Sequence, residues 1–189
     1  YYRNEETPFV FRAVNRLDRD TSGLVLLAKN PYSSCVLSDA VKDHTIHREY
    51  AAIVSGKTDA SGTIDLPIAR KDGSTIERVC DPERGETAVT HYRTFAYNKD
   101  ADISFIRLLL ETGRTQQIRV HMKAIGHPLP GDFLYCPDYC FIDRQPLHST
   151  YLSFSHPVTG EKLEFSASLP DDMRKLFPDI KNPSGPVFF

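Results

Sequence analysis

The sequence has no apolar run approaching the roughly 18 residues that span a membrane, and its opening, YYRNEETPFVF, lacks the pattern of a secretory signal. It holds only four cysteines, Cys35, Cys80, Cys136 and Cys140. Only Cys136 and Cys140 lie near each other, and without a second pair they make a poor zinc site. Reduced thiols in a cytoplasmic protein are therefore expected. Repeats and low-complexity tracts are absent as well. Charge of one sign is not in excess: the net charge is −2, which by itself points to no partner. What remains is ordinary globular composition, 40% hydrophobic and 25% charged over 189 residues, enough for one domain.

Local charge is more informative. From Arg12 to Lys29 there are four basic residues against two acidic ones. From Arg107 to Lys123 there are again four, Arg107, Arg114, Arg119 and Lys123, against Glu111 alone. If the two segments meet in space, they offer an anionic ligand a positive surface.

The apolar patterning predicts mostly strands. GLVLLAK (23–29) is a short apolar run before Asn30-Pro31 and reads as a buried strand. Helical spacing follows from Pro31 to Asp43. REYAAIVSG (48–56) reads as a strand, and TIDLPIA as a short strand between turns. Glu86 to Tyr97 and Ile103 to Thr112 read as an antiparallel hairpin. In TQQIRVHMKAIG, Ile118, Met122 and Ile125 form one helix face, Arg119 and Lys123 lie a step round from it, and Gly126 ends the helix. YLSFSHP and KLEFSAS make a closing hairpin, followed by a short helix from Pro170 to Phe177. Strands joined by hairpins favour an α+β fold with a largely antiparallel sheet flanked by helices.

Four segments carry candidate chemistry. In NRLDRDTSG (15–23), Asp18 stands between Arg16 and Arg19. Guanidinium neighbours favour the charged form of a carboxylate, which suits a nucleophile or an electrostatic stabiliser, although an aspartate between arginines is also a common structural ion pair. In ETGRTQQIRVHM, a strand end, a glycine turn and a helix start place backbone amides and Arg114 where an anion could bind. Tyr50 on its strand reads most simply as an amphipathic packing residue. GHPLPGDFLY reads as a stiff structural loop.

Order and spacing join these segments. RLDRDTSGLVLLAKN, REYAAIV, STIERV with GETAVTHY, TGRTQQIRVHMKAIGHPLPGD, and LHSTYLSFSHPVTGEKLEFSASLPDDM together resemble the RluA-type family of RNA pseudouridine synthases, from about Arg12 to Leu176. The resemblance implies the family's catalytic fold and the isomerisation of a specific uridine to pseudouridine in rRNA or tRNA. The bond from uracil N1 to ribose is broken and the ribose is rejoined to C5, with neither cofactor nor metal. Asp18 matches the catalytic aspartate, and three routes stay open: attack on the base, attack on the sugar, or deprotonation of the sugar to a glycal. Arg119 matches the arginine paired with that aspartate. Tyr50 matches the tyrosine that stacks on the base and is the candidate to take the C5 proton. Arg16 matches the arginine that enters the RNA stack when the target uridine is flipped out, and extrusion of this kind costs a few kcal/mol. Arg16, Arg19, Arg114 and Lys123 are the expected RNA-binding cations. Leu26 and Ile118 are expected in the core.

The chain departs from the family at Asn15 and Gln116, where histidine is usual; both keep hydrogen-bonding capacity and lose a titratable group. Relatives also carry a preceding Lys-Pro-x-Gly stretch, so residues 1–189 are expected to be one catalytic domain incomplete at its start, with no accessory RNA-binding domain, and monomeric. Two rivals stand beside this reading. One is a catalytically inactive RNA-binding protein of the same fold. The other is a magnesium-dependent phosphohydrolase, because Asp18 to Ser22 is close to the Asp-x-Asp-x-Thr form of haloacid dehalogenases; Val14 to Leu17 is a poor strand for that motif.

Overall fold

The computed structural model describes residues 10–181 and 185–188. The opening stretch read above therefore lies, for its first nine residues, outside the described residues. In chain order the elements are β1 (Ser22–Gly23), α1 (Pro31–Lys42), β2 (His47–Ser55), β3 (Ser61–Asp65), β4 (Ile68–Arg70) and β5 (Arg78–Cys80). They continue with β6 (Val89–Asn98), β7 (Ile103–Leu110), α2 (Gln117–Ala124), β8 (Leu147–Ser155), β9 (Lys162–Ser166) and α3 (Asp171–Leu176). Among the described residues the main sheet runs β1-β8-β2-β7-β6-β3, with β9 also on β8, and β4 and β5 form a separate pair. Every pairing is antiparallel except β1 with β8. The fold is α+β, as the pattern of strands implied. No described helix is long and apolar enough to cross a membrane.

Burial on both faces explains why β2 reads as a near-continuous apolar run. Tyr50, Ala52 and Val54 pack with Ile118 and Met122 of α2 on one face. Ala51 and Ile53 pack with Phe105, Met173 and Phe177 on the other. Each large apolar side chain withdrawn fully from water contributes about 1.5–3 kcal/mol, so β2 anchors both layers. The face expected for α2 is the observed one, with Ile118 and Met122 in the core and Ile125 packed against it.

Two expectations need correction. GLVLLAK is not a buried strand: only Gly23 belongs to β1, and Val25 and Leu27 are 43% and 49% exposed. After Gly23 the chain leaves the sheet and pairs with residues 12–14, through Val14 N–H to the Leu26 carbonyl and Ala28 N–H to the Arg12 carbonyl, both 2.9 Å. Leu24, Leu26 and Ala28 face the core beneath α1, while their neighbours face solvent. TIDLPIA is likewise two strands, β3 and β4, because Pro67 cannot donate to a ladder.

Candidate active site

The segment carrying Asp18 is a turn, closed by Thr21 N–H donating to the Asp18 carbonyl at 3.1 Å. Asp20 takes a left-handed conformation, φ 67°. Gly23 is required where the turn enters β1: its φ is 111°, and a Cβ there would stand 2.3 Å from the Ser149 carbonyl oxygen. The turn is held from behind by the entry to β8. The Gln145 amide donates to the Arg19 carbonyl, and Arg144 Nη1 donates to the Asp20 carbonyl at 3.0 Å. Arg144 is itself oriented by Asp172 of α3, through paired bonds of 2.7 and 2.9 Å. Ser22 Oγ meets His148 Nδ1 at 2.8 Å. Asn15, buried, accepts from Leu26 N–H at 2.7 Å and so secures the other end.

Arg119 comes from the first turn of α2, which Gln117 ties to the strand ends. The Gln117 amide oxygen accepts from Thr112 Oγ1 and Arg114 N–H, and its amide nitrogen donates to the Val89 carbonyl. The Arg119 side chain is only 2% exposed. Nε and Nη2 donate to the two oxygens of Asp132 at 2.6 and 2.7 Å. That leaves Nη1, which donates to Asp18 Oδ2 at 3.0 Å. Burial works against the guanidinium charge, but the hydrogen bonds and charges of Asp132 and then Asp18 outweigh it and raise the Arg119 pKa. Phe133 and Tyr135 flank the guanidinium, with ring centres 5.5 and 5.1 Å from its carbon.

Tyr50 closes the constellation from β2. Burial pushes its phenol pKa up; Arg48 opposes the rise, Asp18 adds to it, and a hydrogen bond with Ser149 opposes it. Asp18, Tyr50 and Arg119 line one cleft, open to solvent, together with Arg16, Arg48 and Arg114. Asp18 keeps a side-chain exposure of 20%, so its carboxylate is reachable from the cleft while bonded to Arg119.

The two basic segments read from the sequence thus meet. Arg16 lines the cleft and is exposed. Arg114 lines it too, though its guanidinium is held by Glu86 and the Thr87 carbonyl. Arg19 points outward, 70% exposed, stacked 4.1 Å over Phe133. Lys123 does not line the cleft; it lies over the Tyr135 ring at 5.3 Å. Gln116 accepts from the Tyr135 hydroxyl at 2.6 Å, and burial pushes that phenol up to about 12. Three residues at the site escaped the sequence reading: Asp132, Arg48 and Gln145. Asp132 sits inside GHPLPGDFLY, read as a structural loop, yet it is fully buried and caps that loop by accepting from Leu134 and Tyr135 N–H. Arg48 carried a signal, since it is two residues from Tyr50 on a strand and must share its face. Gln145 carried none. Among the described residues no group of three or more His, Cys, Asp or Glu is placed to hold a metal ion.

The sequence and the fold both match one family of known proteins. Residues 1–124 match the sequence model of a family described as RNA pseudouridylate synthase, and the chain belongs to that family. Among its relatives is "Uncharacterized RNA pseudouridine synthase YjbO" of Bacillus subtilis, 47% identical over 177 residues, which cover 93% of this chain and 62% of that protein. Another is "Ribosomal large subunit pseudouridine synthase D" of Zymomonas mobilis, 41% identical over 87% of this chain and 54% of that protein. The chain therefore spans less than two thirds of the length of these relatives. Of solved structures, "Human RNA Pseudouridylate Synthase Domain Containing 1" superposes with a TM-score of 0.73 at 27% identity, over 86% of this chain and 69% of that one.

Proposed function

We propose that the chain carries the catalytic domain of an RNA pseudouridine synthase, isomerising a specific uridine with Asp18 as the catalytic carboxylate. The observation that carries the reading is the Asp18–Arg119 contact of 3.0 Å in a cleft that Tyr50 also lines. A carboxylate bonded on one side by a buried guanidinium and open on the other can act on a nucleoside as nucleophile or base. The glycosidic bond from N1 to C1′ breaks, a bond from C5 to C1′ forms, the C5 proton departs and N1 takes up a proton, so every heavy atom of the base is retained and the product is an isomer. Tyr50 presents a ring against which uracil can stack. Burial keeps its phenol protonated through the neutral range, so its duty as the base at C5 draws on the opposing charge of Arg48.

The target uridine enters the cleft flipped out of its stack, with Arg16 at the rim to stack in its place. Arg19 and Arg114 contribute positive charge to the RNA backbone, and Lys123 extends it further along α2. Relatives named for the ribosomal large subunit favour rRNA over tRNA as substrate. The protein acts as a monomer in the cytoplasm. Tritium release from RNA labelled at uracil C5 tests the reading: the Asp18→Ala variant is expected to release none, and retained turnover would remove Asp18 from the mechanism.

A further inference from the structure

The arginines of the cleft differ in what already occupies them. Arg119 is held by Asp132 and Asp18, and Arg114 by Glu86 and Thr87. Arg16 is solvated at the rim. Arg48 is half-buried and lines the cleft, its Nε is wholly sheltered, and no hydrogen bond or ion pair to it occurs among the described residues. A guanidinium nitrogen withdrawn from water and given no acceptor is costly to keep, and the rest of the Arg48 fork faces the cleft. Its position is nonetheless built: Gly113 lies beneath it, and a Cβ on Gly113 would stand 3.3 Å from Arg48 Nη2. A methyl group there would press the guanidinium aside by a few tenths of an ångström.

We propose that Arg48 binds a phosphate of the nucleotide that enters the cleft, so that the cleft has a base pole at Tyr50 and an anion pole at Arg48. The inference deepens the functional reading above and rests on it. Arg48 and Tyr50 alternate onto the same face of β2, with Cα atoms about 7 Å apart along an extended strand. That separation suits a base and its own phosphate. The guanidinium fork pairs with two phosphate oxygens at once, whereas a uracil carbonyl offers a single neutral acceptor. The opposition of Arg48 to the raised pKa of Tyr50 places its charge on the side of the phenol.

The test is a titration of the full chain with uridine, uridine 5′-monophosphate and uridine 3′-monophosphate, followed by chemical-shift changes of the cleft residues. One monophosphate is expected to bind at least about tenfold more tightly than uridine, as a charge-assisted hydrogen-bond pair requires; which of the two it is identifies the phosphate. Arg48→Gln should erase that preference and leave uridine binding in place, and Arg48→Lys should restore part of it. Equal binding of all three ligands to the wild type overturns the proposal, as does a phosphate preference that survives in Arg48→Gln, or no binding by any of them. Asp18→Ala in the tritium assay judges the catalytic reading separately, so the two can fail independently.

Discussion

Arg119 grips Asp132 with two of its guanidinium nitrogens and reaches Asp18 with the third, at 3.0 Å. The two carboxylates therefore have different relationships to one cation. Asp132 is sealed from solvent and fixes where the guanidinium sits; Asp18 is partly open and receives a charge already in place.

This division predicts opposite phenotypes. Asp132→Ala strands a buried guanidinium and should destabilise the fold by about 3–5 kcal/mol. Asp18→Asn leaves the buried pair intact, and its stability should stay within about 1 kcal/mol of wild type while turnover is lost. Urea unfolding beside the tritium assay reads both. An Asp132→Ala protein with a wild-type unfolding midpoint would show that Arg119 needs no buried partner.

Tyr50 offers a pH test. Because burial raises its phenol pKa above 10, only a small fraction is ionised near neutrality, and that fraction grows tenfold per pH unit. If the phenolate removes the C5 proton, the logarithm of the rate should rise with pH through the neutral range. Arg48→Gln removes a charge that lowers this pKa and should slow the reaction further at any fixed pH. Tyr50→Phe should keep RNA binding and lose about 10²–10⁴ in rate. Wild-type tritium release by the Phe variant would leave stacking as its sole role.

The Asp18 turn depends on α3 at a distance. Asp172 orients Arg144, and Arg144 holds the Asp20 carbonyl. Asp172→Asn should let the turn drift and reduce kcat by up to about 10²-fold with KM for RNA unchanged, and Asp172→Glu should recover part of it. A loss of thermal stability without any change in kcat would reduce Asp172 to a packing residue.

Two buried imidazoles set an acid limit on stability. Burial lowers the pKa of His121 and of His148 below 6.5. His121 is also fixed in one neutral form, with contacts of 2.9 Å to both Thr90 Oγ1 and the Leu66 carbonyl. Below about pH 6.5 the unfolded chain takes up protons that the folded protein resists, so stability falls as pH falls through that window. Urea midpoints at pH 7.5 and pH 5 should show the decline, and His148→Gln should flatten it. A pH-independent midpoint would contradict the burial argument.

Much of the frame was legible in the order of residues. α1, α2, the β6–β7 hairpin and the β8–β9 hairpin follow periodicity, because each buries a face defined by its own neighbours in sequence. GLVLLAK misled because apolar content does not say which partner a segment finds: past Gly23 it pairs with residues 12–14 and turns every other side chain outward. Asp18, Tyr50 and Arg119 were singled out by local pattern and family likeness, and all three line one cleft.

The sequence by itself determined most of the elements, their apolar faces and which residues were candidates for the chemistry, since these depend on short-range spacing and side-chain chemistry. Tertiary structure decided which ions pair. Asp132 became the anchor of Arg119, Arg48 Nε was left without a hydrogen-bond partner among the described residues, and Lys123 was turned toward Tyr135 and away from the cleft. Coulomb attraction and desolvation depend on distance and burial, and residues far apart in the chain acquire both only when the sheet and α2 close around them.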